Sequence, residues 1–288
     1  MEETQFEDIY ELSPMQQGLL FHSIYTPETT VYNIQMAFGL DGRLNATAFD
    51  EAWRYMMRRH PVLRTSFYWE GLENLYQGVN REVDLPVVHH DWNSYSAEER
   101  EARLKDYLDA DRRRTFQLAD PPLMRIALIR MAERRHYFIW TFHHILFEGW
   151  SAAILLKEFI HVYGMICEGK RPDLPPPFPY AHYIRWLHEQ DPARAEAYWR
   201  HALKGMAAPT LLPMDRVADQ APARVLRYEE RDAVLSEATT TALRELARRQ
   251  RLTLNTLVQG AWAILLSRHA REAEVLFGVV VSGRPTEL

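Results

Sequence analysis

Tyr137-Phe138-Ile139-Trp140-Thr141-Phe142-His143-His144-Ile145-Leu146-Phe147-Glu148-Gly149-Trp150-Ser151 decides how the chain is to be read. Its first half is aromatic and β-branched, the composition of a strand with little solvent contact. The run ends on adjacent histidines, then an acid and a glycine, and Ser151 is able to cap a helix. A strand feeding a turn feeding a helix presents polar side chains at a cavity wall. Imidazole titrates near 6.5, the range suited to proton transfer at neutral pH. The residues by themselves leave open a metal site, a pair of hydrogen-bonded structural histidines, and a general base at a strand end. A metal fits least well, because neighbouring strand residues point to opposite faces and too few ligands lie nearby.

Working outward, residues 123–131 and 136–143 read as the strands of a hairpin joined by Ala132-Glu133-Arg134-Arg135. After Gly149 a helix is expected with an apolar stripe of Ile154, Leu155, Phe159, Val162, Tyr163 and Ile166. Upstream, Ser13-Pro14-Met15-Gln16 has the form of a capping box with proline in the first turn. Gln17 and His22 in that helix read as surface or satisfied core. Residues 31–40 suggest a strand, and 46–60 an amphipathic helix with Phe49, Trp53, Met56, Met57 and His60 on one face, stopped by Pro61. Residues 63–69 suggest a strand with Leu63, Thr65, Phe67 and Trp69 on one side and Arg64 on the other. If buried, that arginine wants an anion. A short strand is expected at 83–88 and a charged helix at 97–113, whose Arg112-Arg113-Arg114 run reads as a solvated face.

The proline-rich segment 171–179 is the expected connector. It divides the chain into 1–175, with the histidines, and 176–288, with linker helices and part of a second lobe. There, helices are expected at 180–190, 192–203, 236–250 and 253–268, and strands at 225–231 and 274–281. The alternation describes an α+β fold with a largely antiparallel sheet. Of the 288 residues 47% are hydrophobic and 25% charged, the profile of a globular protein, and the net charge of −5 offers no basic field for nucleic acid. One cysteine, an acidic N-terminus without an apolar core, and no long uncharged apolar run lead to the expectation of a cytoplasmic protein without disulfides, signal peptide or membrane span. P-loop, dinucleotide-binding, HExxH and CxxC patterns are absent.

His143-His144-Ile145-Leu146-Phe147-Glu148-Gly149 resembles the HHxxxDG signature of non-ribosomal peptide synthetase condensation domains, which belong to the chloramphenicol-acetyltransferase-like superfamily. Residues 12–22, LSPMQQGLLFH, resemble that family's first motif, and 59–67, RHPVLRTSF, its second. Residues 180–186 resemble the fourth, with His182 where many members carry Asp, and 277–285 the strand and turn before the fifth. The motifs occur in family order along essentially the whole chain.

The resemblance implies acetyltransferase-like lobes with a tunnel between them, the chain holding the first lobe and part of the second. It implies amide formation between a donor aminoacyl or peptidyl thioester and an acceptor aminoacyl thioester. Both would ride on phosphopantetheine arms of donor and acceptor carrier domains, beside an adenylation domain, with no metal, no membrane and no cofactor bound directly. It assigns His144 to the reacting amine, His143 to its support and the Gly149 N–H to the oxyanion. It pairs Glu148, in place of the family's Asp, with Arg64. Trp150, Ser151, Ser13, Gln16, His60 and Arg284 fall within the motifs as supporting residues. Two alternatives stay open: a non-catalytic relative that serves as a docking platform, and an epimerisation domain.

Overall fold

The computed structural model describes residues 5–27, 29–206, 209–212, 232–281 and 283. The chain divides into two compact units with the break between Gln190 and Asp191. That lies beyond the proline-rich connector, because the helix following the prolines packs back on the first unit.

The first unit contains β1 (Phe6–Glu11), α1 (Pro14–Tyr25), β2 (Asn33–Asp41), α2 (Ala46–Arg59), a 3-10 turn (Pro61–Arg64), β3 (Thr65–Tyr68) and β4 (Tyr76–Asn80). It continues with β5 (Val87–Asp91), α3 (Ala97–Arg112), β6 (Met124–Ala132), β7 (Arg135–His143), α4 (Gly149–Cys167) and α5 (Tyr180–His188). A four-stranded sheet runs β2-β7-β6-β5, and a three-stranded sheet runs β1-β4-β3. All pairings are antiparallel except β5 with β6.

β7 is largely apolar from Tyr137 to Phe142 because both of its faces are covered there. Phe138, Trp140 and Phe142 meet the apolar face of α2 and α4; the rings of Trp53 and Phe159 stack at 4.6 Å, and Phe49 meets Phe138 edge-on at 5.3 Å. Ile139 points the other way, into a cluster with Ala127, Ile129, Met131 and Trp92 that Leu104 and Leu108 of α3 close. This two-sided burial makes a continuous hydrophobic strand out of what would otherwise alternate. α4 is long and apolar enough to cross a membrane by length and composition. Its Ala152, Leu155, Phe159 and Val162 are buried, whereas Ile154, expected on that stripe, is exposed.

Two strand assignments shift. Residues 61–64 form a 3-10 turn and only Thr65–Tyr68 joins a sheet. Pro61 presets the helical φ at the start of that turn. The strand expected at 83–88 begins at Val87, after Pro86, which has no N–H to give to a ladder.

The second unit contains α6 (Pro192–Ala202), α7 (Glu237–Gln250) and α8 (Leu254–Ala270). Residues 275–281 are without ladder pairing, so the expected strand there is absent among the described residues. Alternating side chains alone do not make a strand, which exists only where a partner takes its N–H and C=O groups. The strand expected at 225–231 and Arg284 lie outside the described residues.

Candidate active site

The four-stranded sheet delivers the histidines to one end. Asn33 lies opposite His143 in the β2–β7 register. The His143 N–H donates to Leu123 O at 2.9 Å and the His144 N–H to Tyr32 O at 2.8 Å, so the backbone is held from both flanks just as the ladder ends. The side chains then diverge. His143 is 6% exposed and sits between the rings of Tyr32 and Phe116. Its Nδ1 accepts from the Ile145 N–H at 3.2 Å, so the proton resides on Nε2, which faces Ser23 Oγ at 3.4 Å. Ser23 in turn donates to Leu19 O at 2.8 Å. Burial, reinforced by the neighbouring His144, lowers the His143 pKa to about 4. This ring is neutral near pH 7 and both its nitrogens are engaged.

His144 is half-buried. Its Nδ1 lies 3.1 Å from Phe147 O. A carbonyl only accepts, so Nδ1 carries the proton and the lone pair is on Nε2. A neutral imidazole presented in this tautomer is equipped to take a proton or to hold an amine by hydrogen bonding.

The turn between His144 and α4 is built by Glu148. Its carboxylate accepts from the Trp150 N–H at 2.6 Å, the Ser151 N–H at 3.0 Å and Ser151 Oγ at 3.0 Å. Glu148, not Ser151, is therefore the N-cap of α4, and Ser151 supports the capping carboxylate. A carboxylate at this end also meets the positive end of the helix dipole. Gly149 occupies the first helical position, and a Cβ there would meet nothing within 4 Å. Its N–H is among those a helix start leaves without an intrahelical acceptor. Trp150 is 68% exposed.

The expected ion pair between Glu148 and Arg64 is not formed. Arg64 is buried, pairs with Glu7 at 2.9 Å, and donates through Nε to Met57 O at 2.9 Å. Its Nη1 binds Asn80 O and Arg81 O. The arginine found the anion its burial demands, but on β1, because the 3-10 turn at 61–64 carries its side chain toward β4 and β1.

Ser13 and Gln16 form the expected capping box of α1. Gln16 is buried, and its Nε2 reaches Ile145 O at 3.2 Å, next to His144. Gln77 of β4 completes the amide pair, with Gln77 Nε2 donating to Gln16 Oε1 at 2.8 Å. Tyr180 Oη donates to Ser13 Oγ at 3.3 Å, tying α5 to the same corner, and burial raises the Tyr180 pKa to about 12. His60 and Arg59 both reach Glu158 of α4, at 2.7 Å and 2.9 Å. The His60 pKa is lowered, burial outweighing the carboxylate. His60 thus braces α2 against α4 and stays apart from the histidine turn. His182 lies on α5, its ring against Phe178 at 5.0 Å. Sequence reasoning missed Ser23, Tyr32, Gln77 and Glu158. Only Gln77, a polar residue inside a short strand, offered a signal.

The family model for the Condensation domain matches residues 6–288. A subunit of the linear gramicidin synthase of Brevibacillus parabrevis is 44% identical over 98% of this chain and 5% of that protein. Surfactin synthase subunit 3 of Bacillus subtilis (strain 168) is 35% identical over 99% of this chain and 22% of that protein. The chain thus spans a small part of the curated relatives it matches. A variant of the starter condensation domain of rhizomide synthetase RzmA, solved with C8-CoA and Leu-SNAC, aligns over 93% of this chain and 59% of that one at 21% identity, with a TM-score of 0.76. The first condensation domain of the calcium-dependent antibiotic synthetase aligns over 93% and 63% at 20% identity, with a TM-score of 0.74, and both structures bear on the fold. With its paired histidines at the end of β7 and a glutamate-capped helix behind them, the chain belongs to the condensation-domain family.

Proposed function

We propose that this chain joins a donor aminoacyl or peptidyl thioester to the α-amine of an acceptor aminoacyl thioester. Each substrate is carried on the phosphopantetheine arm of a carrier domain, in a cytoplasmic synthetase that also contains an adenylation domain. The observation that carries this reading is the His144 tautomer: Nδ1 donates to Phe147 O at 3.1 Å and leaves the Nε2 lone pair for substrate. The acceptor amine attacks the thioester carbonyl carbon and a C–N bond forms. The carbonyl electrons move onto oxygen, where the Gly149 N–H donates to the oxyanion. Collapse breaks the C–S bond. The amine proton passes by way of His144 Nε2 to the departing sulfur, so the products are an amide and a free thiol. Positioning the amine lowers the barrier along with any proton transfer. His143, uncharged and fully engaged, holds the turn.

Single-turnover reactions with donor- and acceptor-loaded carriers test this. The chain should form amide product, and His144→Ala should slow it by about a thousandfold or more while carrier binding and fold are retained. Carrier binding without product in the unaltered protein would establish the docking-platform alternative. Exchange of the α-carbon hydrogen without amide formation would establish epimerisation.

A further inference from the structure

Resting on that reading of His144, we propose that the buried Gln16–Gln77 amide pair is a positioning device that fixes the tautomer and orientation of the His144 ring. The two amides bond reciprocally, Gln16 Nε2 to Gln77 Oε1 at 3.1 Å and Gln77 Nε2 to Gln16 Oε1 at 2.8 Å. Apart from one bond from Ser13 Oγ to Gln16 Oε1 at 3.2 Å, every remaining contact leads to backbone. Gln77 Nε2 reaches Glu11 O of β1 at 3.1 Å, Gln16 Oε1 accepts from the Ser13 N–H at 3.0 Å, and Gln16 Nε2 reaches Ile145 O at 3.2 Å. Gln16 and Gln77 are 4% and 1% exposed, so water does not substitute for a lost bond.

The last of these contacts matters for chemistry. Ile145 directly follows His144. Its N–H is bound by His143 Nδ1 and its C=O by Gln16, so the residue is pinned on both sides. The backbone from Ile145 to Phe147 is the arm that carries the Phe147 carbonyl to His144 Nδ1. Rotation at Ile145 would move that carbonyl and free the imidazole to exchange tautomers. The three-stranded sheet thus reaches the histidine turn through two side-chain amides. A helix cap alone needs only Ser13 and the Gln16 oxygen; the Gln16 nitrogen and Gln77 are additional.

Gln16→Glu separates the roles. A glutamate keeps an acceptor for the Ser13 N–H but has no N–H for Ile145 O. Ser13→Ala removes the side-chain cap and leaves the amide pair in place. Imidazole nitrogen-15 shifts should show one His144 tautomer, Nδ1–H, in the unaltered protein and in Ser13→Ala. In Gln16→Glu they should show a mixture, with the single-turnover rate down about tenfold and carrier KM values unchanged. Gln77→Met, which leaves Gln16 in place but unpaired, should give the same signature and serves if Gln16→Glu fails to fold. A single unchanged tautomer in the folded variants would overturn the proposal, whatever happens to the rate. A tautomer mixture with an unchanged rate would uphold the clamp and instead remove His144 from the chemistry.

Discussion

Two neighbouring side chains on one turn have opposite surroundings. His143 is sealed between aromatic rings with both nitrogens engaged, and His144 is half open with one nitrogen anchored. The same contrast extends along the turn. Its inner wall is Gln16, Gln77 and Ser23, while its outer edge is Gly149 and Trp150. Nothing in the residue types separates two adjacent histidines. The end of the ladder does, because His143 is the last paired residue of β7 and its ring is buried between Tyr32 and Phe116. The lesson is that the supporting residue is read by its lack of freedom and the working residue by its single fixed nitrogen.

The largest effect expected from this contrast is on acid stability. Burial holds His143 near pKa 4 in the folded state, against about 6.5 in the unfolded chain. Between those values only the unfolded chain takes up the proton. The His143 contribution is therefore complete above about pH 6.5 and is lost progressively down to about pH 4, a total of about 3 kcal/mol. Urea unfolding across that range measures it. His60 is shifted in the same direction, so the difference between the protein and a His143 variant isolates the His143 share.

His143→Leu is the next sharpest cut. It strands the buried Ile145 N–H and should cost about 1–3 kcal/mol at pH 7.5 while flattening the acid limb. Equal acid sensitivity with and without His143 would erase the contrast between the two rings.

On the outer edge, Glu148→Ala removes the cap of α4 and should cost about 1 kcal/mol by thermal unfolding. Glu148→Asp should stay within about 0.5 kcal/mol, since a shorter carboxylate is an equally good cap. The smallest effect is a coupling. Arg64→Met and Glu148→Gln should add in a double-mutant cycle to within about 0.5 kcal/mol, because Arg64 pairs with Glu7 whereas Glu148 caps α4. A larger coupling energy would restore the expected ion pair between them.

Much of this was legible beforehand. The spacing of Phe49, Trp53, Met56 and Met57 marks the buried face of α2, and Ser13 with Gln16 marks the start of α1. The hairpin β6–β7 follows from aromatic and branched runs on either side of a charged turn. These are local signals, governed by side-chain period and capping. Arg64 shows where such signals stop. Its identity states that a buried cation needs an anion, but several carboxylates qualify, and the 3-10 turn selects Glu7.

By itself, then, the sequence determined the helices, the central hairpin, the paired histidines and membership of a family, because periodicity, capping and motif order are written in consecutive residues. Tertiary structure alone decided which imidazole is sealed, that Glu148 caps α4, and that Gln77 on a distant strand reaches the turn through Gln16. The physical reason is that burial and hydrogen-bond partnership depend on residues remote in the chain, and no local pattern records which of several chemically equivalent partners the fold will bring within 3 Å.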